Sequence, residues 1–179
     1  MTALDLFNKE IVPALKEKLA VANINEVPKI DKVIVSVGIG SLATRKSIKD
    51  FDEFEKNLKK ITGQKPVLIK SKKAISNFKL REGMPVMLKS TLRRDRAYAF
   101  LDRFVKVVLP RLRDFNGLST KSFDAKGNLS IGIVNYNIFP ELDIEDVTVP
   151  MGLQITIVTT STDAQRSKGL LEALWLLFK

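Results

Sequence analysis

The chain contains neither cysteine nor histidine. Without thiols it can form no disulfide, no thiolate nucleophile and no zinc-ribbon site. Without imidazole it lacks the side chain that most often moves protons near neutral pH, and with it the Ser-His and Cys-His pairs. Carboxylate or lysine chemistry stays open, but most enzyme designs are excluded. The phosphate-cradling pattern G-x-x-x-x-G-K-[ST] is missing as well, since neither Gly63 nor Gly83 begins or completes it. Long apolar runs are also lacking. The most apolar stretch, Gly169–Phe178, is too short to cross a bilayer and contains Glu172. The first residues, MTALDLFNKEIV, carry acids early and show no basic-then-apolar signal pattern. The expectation is a soluble cytoplasmic protein with no catalytic residues, no metal, no cofactor and no membrane partner.

What the chain has is charge of one sign in one place. Between Lys56 and Arg113 there are 17 Lys and Arg against Glu82, Asp95 and Asp102, a block of +14. The flanks together carry −4, so the total of +10 is a cationic block in a mildly acidic frame. Confining one sign costs self-repulsion, and a polyanionic partner is the common reason to tolerate it. Nucleic-acid phosphate is the first candidate, because each phosphate neutralised releases condensed counterions. The rest of the composition is that of a globular protein: 179 residues, 45% hydrophobic, mean hydropathy near zero. A chain of this length suits one domain that buries roughly 70% of its extended-chain surface.

Periodicity gives a coarse element order. Leu4, Phe7, Ile11, Leu15 and Leu19 form a helical stripe, with Pro13 placed to kink or split it. In IDKVIVSVGIG the odd positions Val33, Val35, Val37 and Ile39 are apolar, whereas Lys32, Ile34 and Ser36 share the other face. Ser47 with Asp50 resembles a capping box for a helix through Ile61 that buries Phe51, Phe54, Leu58 and Ile61 and stops at Gly63. Lys65–Lys70 suits a strand. Ser71–Gly83 is polar and basic with too little periodicity for an element. Over Met84–Arg93, Val86, Leu88, Ser90 and Leu92 alternate with Met87, Lys89, Thr91 and Arg93. Arg94–Phe115 suits an amphipathic helix bent by Pro110, with Arg96, Arg103, Lys106, Arg111 and Arg113 outside. D-A-K-G-N at Asp124–Asn128 is a turn into a strand over Leu129–Val134. Ile138–Val149 is irregular and acidic. A strand at Gly152–Thr160 and a helix at Asp163–Phe178 close the chain, with Leu170, Leu171, Leu174, Leu177 and Trp175 expected in the core.

These faces predict an α+β protein, with an antiparallel or mixed sheet carrying helices on one side and a polar surface on the other. Hydroxyls and amides with a few cations suit RNA 2′-hydroxyls and phosphates, and a solvated sheet face would read the same way. Gly38-Ile39-Gly40-Ser41-Leu42-Ala43 matches a loose dinucleotide fingerprint. It lacks the apolar helix and the acid about twenty residues on, and reads better as a flexible turn at a strand end. The acidic run Glu141, Asp143, Glu145 and Asp146 lacks calcium-loop spacing and suits a solvated loop or a basic partner. The loop from Lys70 through Lys72, Lys73 and Phe78 to Lys79 and Arg81 sets five cations around an aromatic against one nearby acid. Loops of that kind recur in contacts to RNA loops and single strands. With few apolar anchors it is expected to be mobile, from about residue 70 to 83.

Val27–Gly40 (VPKIDKVIVSVGIG), Ile61–Val86 (ITGQKPVLIKSKKAISNFKLREGMPV), Ser90–Gly117 (STLRRDRAYAFLDRFVKVVLPRLRDFNG), Ser122–Ile131 (SFDAKGNLSI), Phe139-Pro140-Glu141 and Gly152–Ser161 (GLQITIVTTS) follow one pattern in order along the chain. Together they resemble the bacterial-type family of the fifth large-subunit ribosomal protein. The resemblance implies a single α+β domain with a curved sheet, and a structural constituent of the large subunit, ribosome-bound in the cytoplasm or an organelle. It implies binding to 5S rRNA in the central protuberance, contacts to 23S rRNA, peptidyl-site tRNA and other large-subunit proteins, and a bridge to a small-subunit head protein. The 5S rRNA contacts that it implies fall on Lys32, Ser36, Gln64 and Thr91. Lys89 and Arg93 join them from the same strand face, and the tRNA-facing loop is Lys70, Lys72, Lys73, Phe78, Lys79 and Arg81. The chain departs from the pattern at Ser36 (customarily Asn), Arg94 (Gly), Val86-Met87 (Ile-Gly) and Asn135-Tyr136 (Glu-Gln). The charge block by itself equally suits a free-standing RNA or DNA chaperone, and an enzyme acting on nucleic acid is the weakest of the three.

Overall fold

The computed structural model describes residues 3–19, 21, 23–45, 51–113, 115–142, 149–161 and 163–179. Ser47, Asp50, Asp143, Glu145 and Asp146 lie outside them. The fold is α+β with a five-stranded antiparallel sheet. Its strands are β1 (Ile30–Gly38), β2 (Val67–Lys70), β3 (Pro85–Arg93), β4 (Leu129–Ile133) and β5 (Leu153–Thr159), in spatial order β2-β3-β1-β5-β4. The chain groups into two compact units. The first comprises Met1–Val33, Leu92–Ile131 and Thr156–Lys179, and the second Ile34–Thr91 and Gly132–Ile155.

In the first unit, α1 (Ala3–Leu6) and α2 (Val12–Lys18) are joined by a π-helical turn, Phe7–Ile11. The expected disruption at Pro13 therefore takes the form of a π turn just before it. Pro13 offers no N–H, and a wider turn absorbs the missing hydrogen bond without ending the helix. Phe7, Ile11 and Leu15 stay buried. The same device recurs before Pro110, where α5 (Asp95–Arg103) passes through a π turn, Phe104–Val108, into the short α6 (Leu109–Arg111). The helix then ends, with Leu112 extended at φ −66 and ψ 128, so it stops short of the expected Phe115. Tyr98 on α5 packs its ring 4.9 Å from Phe7, and Phe100 stacks on Phe104 at 6.2 Å.

The last helix, α7 (Ala164–Ala173), is capped by Asp163, whose side chain accepts from the Gln165 N–H at 3.0 Å. It too ends earlier than its apolar stripe predicts. The chain turns at Trp175 (φ 61) and pairs Phe178 with Leu118 as an isolated bridge. Leu170, Leu171 and Leu176 are buried, but Trp175 and Leu177 are 54% and 67% exposed rather than core. The turn at Asp124–Asn128 is as predicted: Asp124 accepts from the N–H groups of Lys126 and Asn128 and from the Asn128 amide. Those hydrogen bonds, led by the Asn128 amide, hold its carboxyl below the ordinary range. Gly127 is required there. It has φ 73, and a Cβ would lie 2.5 Å from Ser167 Oγ.

One buried phenol in this unit makes stability pH-dependent. The Tyr98 hydroxyl oxygen accepts from the Ile30 N–H at 3.3 Å, and burial pushes the phenol up to about 12. A folded value above the ordinary one means that the contribution is complete below about pH 10 and fades as pH rises toward 12. Tyr98→Phe should cost about 1–3 kcal/mol at pH 8, because the Ile30 N–H loses its partner. The variant should then lose less further stability up to pH 11.5 than the parent does. Parallel denaturant midpoints for the two proteins across that range would exclude Tyr98 as the titrating group.

In the second unit, α4 (Asp52–Thr62) buries Phe54, Leu58 and Ile61. It places Asp52, Glu53 and Glu55 in its first turn and Lys59 and Lys60 in its last, the order that the helix dipole favours. Gly63 ends it in the left-handed conformation at φ 68, as its sequence position predicts. Val37, Phe54, Leu58, Ile61, Tyr136 and Leu153 meet here around the Asn57 side chain. Burial raises the Tyr136 phenol, which is also hydrogen-bonded to Asn57. Gly40–Arg45 is a short helix, α3, rather than the flexible turn read from the sequence. Ile39 and Leu42 are buried and supply the apolar anchor.

Candidate nucleic-acid interface

The alternation read from the sequence is the alternation of burial. On β1, Val33, Val35 and Val37 are buried while Lys32, Ile34 and Ser36 are half-exposed. On β3, Leu88, Ser90 and Leu92 are buried, Lys89 and Thr91 are half-exposed, and Arg93 is exposed. Gln154 and Thr156 on β5 and Ser130 on β4 also point away from the core, and Ser130 Oγ lies 3.2 Å from Thr156 Oγ1.

Within the second unit, Gln64 and Thr91 are brought together. The left-handed Gly63 turns the chain off α4, and the Thr62 hydroxyl donates to the Leu58 carbonyl at 2.7 Å, with the Gln64 carbonyl 3.0 Å away as its alternative acceptor. The Gln64 N–H donates to Thr62 Oγ1 at 3.3 Å and so holds the backbone of Gln64, whose Nε2 donates to the Thr91 carbonyl at 3.2 Å. Two of the residues implied as RNA contacts, 27 apart in sequence, are thus joined through the backbone of one of them. Ser36 and Lys89 belong to the same unit. Lys32 and Arg93 belong to the first unit. Lys32 Nζ lies 3.1 Å from the neighbouring Asp31 carboxylate, a solvent-screened pairing that contributes little to stability.

The basic loop also lies in the second unit. β2 pairs antiparallel with β3, Val67 opposite Lys89 and Ile69 opposite Met87, with a bulge at Ile69/Lys70. The stretch beyond it, for which periodicity predicts no element, is a hydrogen-bonded hairpin. Its base is closed by Ser71 N–H to Met84 carbonyl at 2.7 Å and Gly83 N–H to Ser71 carbonyl at 2.9 Å. Higher up, Ile75 and Leu80 exchange both backbone bonds around a 3-10 turn, Ser76–Phe78, closed by Lys79 at φ 53. Backbone pairing makes the hairpin, so no side-chain pattern announces it. Lys70, Lys72, Lys73, Lys79 and Arg81 are all exposed, and none has an ion-pair partner among the described residues. Phe78 at the tip is 68% exposed.

A cleft of ≈ 470 Å³ at this loop is lined by Ser41, Thr44, Asn77, Phe78, Lys79 and Val86, among others. The Ile39 N–H, bonded to the Val86 carbonyl at 2.9 Å, sets α3 beside β3 there. Nothing in the sequence pairs residues so far apart, and the sequence reading missed this wall. No group of His, Cys, Asp or Glu among the described residues is arranged to hold a metal.

Comparison with known proteins shows the family. The family model described as ribosomal protein L5 matches residues 23–81, and the model of that family's C-terminus matches residues 85–178. The chain belongs to the ribosomal protein L5 family. Among its relatives, a protein of Geobacter sp. (strain M21) named large ribosomal subunit protein uL5 is 49% identical over 175 residues, covering 98% of this chain and 97% of that one. Proteins of the same name from Syntrophotalea carbinolica and Natranaerobius thermophilus are 46% and 45% identical. These alignments cover 97% and 98% of this chain and 94% and 97% of theirs. An L5 protein is structural and non-enzymatic, consistent with a chain that has neither His nor Cys.

Proposed function

We propose that this L5 protein is a constituent of the large ribosomal subunit, ribosome-bound in the cytoplasm, that holds 5S rRNA on the polar face of its sheet. The observation that carries this is the Gln64–Thr91 link on a strand that also presents Lys89 and Arg93. A side chain tied to the backbone, as that of Gln64 is, loses little entropy on binding, so it selects a shape rather than any polyanion. The cations add strength, since phosphate contacts position an RNA without reading it. Contacts to 23S rRNA, to neighbouring large-subunit proteins and to a small-subunit head protein follow from the family resemblance.

The test is binding to 5S rRNA against unrelated RNAs of equal length, with co-sedimentation through a salt-washed gradient. Selective binding and retention on the large subunit are expected. Equal affinity for every RNA, with release from the subunit, would favour a free-standing RNA chaperone.

The loop has a separate task in this reading, contact with peptidyl-site tRNA. Its cations stand on a hairpin whose residues 72–79 are all exposed, so the fold does not depend on them. Replacing Lys72 and Lys73 with Gln should leave the melting temperature unchanged and lower 5S rRNA affinity only modestly, through lost long-range attraction. Ribosomes carrying the variant should retain peptidyl-site tRNA less well. Collapse of 5S rRNA binding with unchanged tRNA retention would overturn this division of labour.

A further inference from the structure

Strand β3 runs out into Arg93-Arg94-Asp95-Arg96, and Arg94 has φ 51 and ψ −131. Those angles match the first central position of a type II′ turn, which glycine dominates because a Cβ there crowds the backbone. Lys79, by contrast, occupies the ordinary left-handed well at φ 53 and ψ 31. The start of α5 holds Arg94 in this conformation. The Arg94 carbonyl accepts from the N–H groups of Ala97 and Tyr98 at 2.9 and 3.2 Å and so begins the helix. Ala97 and Tyr98 are themselves buried, and Tyr98 is tied to Ile30.

The turn thus calls for glycine and carries arginine. Within the protein the guanidinium has no use: it is exposed and has no ion-pair or hydrogen-bond partner among the described residues, and the neighbouring Arg93 is in the same position. Strain of this kind persists only where the surrounding structure holds it, and it clusters at functional sites. We infer that Arg94 is a phosphate-binding residue, one that holds the backbone of a bound RNA at the end of β3 beside Arg93. Its planar fork suits a phosphate better than a flexible ammonium does. The inference rests on the RNA-binding reading above and adds a residue to it.

Arg94→Gly, Arg94→Ala and Arg94→Lys separate the two roles of the position. Melting without RNA should show Arg94→Gly more stable than the parent, and Arg94→Ala, which keeps the strain, no more stable. Titrations of 5S rRNA and of an unrelated RNA of equal length, each at several salt concentrations, report the charge. Arg94→Gly and Arg94→Ala should each bind roughly five- to eightfold more weakly at 0.1 M salt, with a salt slope smaller by about 1, the release of one counterion fewer. Arg94→Lys should keep the slope. Unchanged affinity and slope in the Gly and Ala variants would overturn the phosphate contact. A Gly variant no more stable than the Ala variant would overturn the strain argument on which it stands. The slope is read on both RNAs, so loss of 5S preference alone sinks only the parent reading; binding to neither RNA sinks both.

Discussion

Raising monovalent salt from 50 to 200 mM should weaken 5S rRNA binding by about 10³–10⁵, provided that roughly six to ten phosphates are neutralised. The supply of cations is sufficient. The stretch from Lys56 to Arg113 carries +14, and Lys70, Lys72, Lys73, Lys79, Arg81, Arg93 and Arg94 have no internal ion pair among the described residues. An exposed cation without a carboxylate partner breaks no ion pair on reaching a phosphate, and each phosphate neutralised releases condensed counterions. The measurement is the slope of log affinity against log salt. A slope near zero would mean that the charge block faces something other than RNA.

The second large effect separates shape from charge. Thr91→Val should weaken 5S rRNA binding by a factor corresponding to about 1–3 kcal/mol, while Lys106→Ala should change it little, although only the latter removes a charge. Val keeps the β-branch that suits β3 and deletes only the hydroxyl, leaving its RNA partner unpaired. Thr91 also supplies the carbonyl that Gln64 Nε2 reaches, so the loss falls where the backbone of the face is tied to a second element. Lys106 is already engaged elsewhere: its Nζ lies 2.6 Å from Asp102 and 5.4 Å from the Trp175 ring centroid. Both variants should melt within a degree or two of the parent. Equal small effects on binding would mean that the RNA uses another surface.

The sequence by itself determined which residues face water and which do not. A strand has a period of two, so Lys32, Ser36, Lys89, Thr91 and Arg93 could be assigned to the polar face before any contact was known, and burial follows that assignment. The end of α4 was legible for the same kind of reason, since Gly63 alone suits the left-handed cap. The position of the cationic block was legible because charge is a property of composition. Where backbone hydrogen bonding or distant packing makes the choice, the sequence was silent or misleading. The apolar stripe after Leu171 predicts more helix, but the pairing of Phe178 with Leu118 draws the chain out and leaves Trp175 exposed. The basic loop shows no periodicity because its order comes from main-chain bonds between Ile75 and Leu80. Gly40–Arg45 became a helix because Ile39 and Leu42 found a buried place. The join between Gln64 and Thr91, the positive φ at Arg94 and the engagement of Lys106 with Asp102 and Trp175 all depend on which segments meet. Pairwise meetings across tens of residues are decided by the packed chain as a whole, whereas facing and capping are decided within a few residues of themselves.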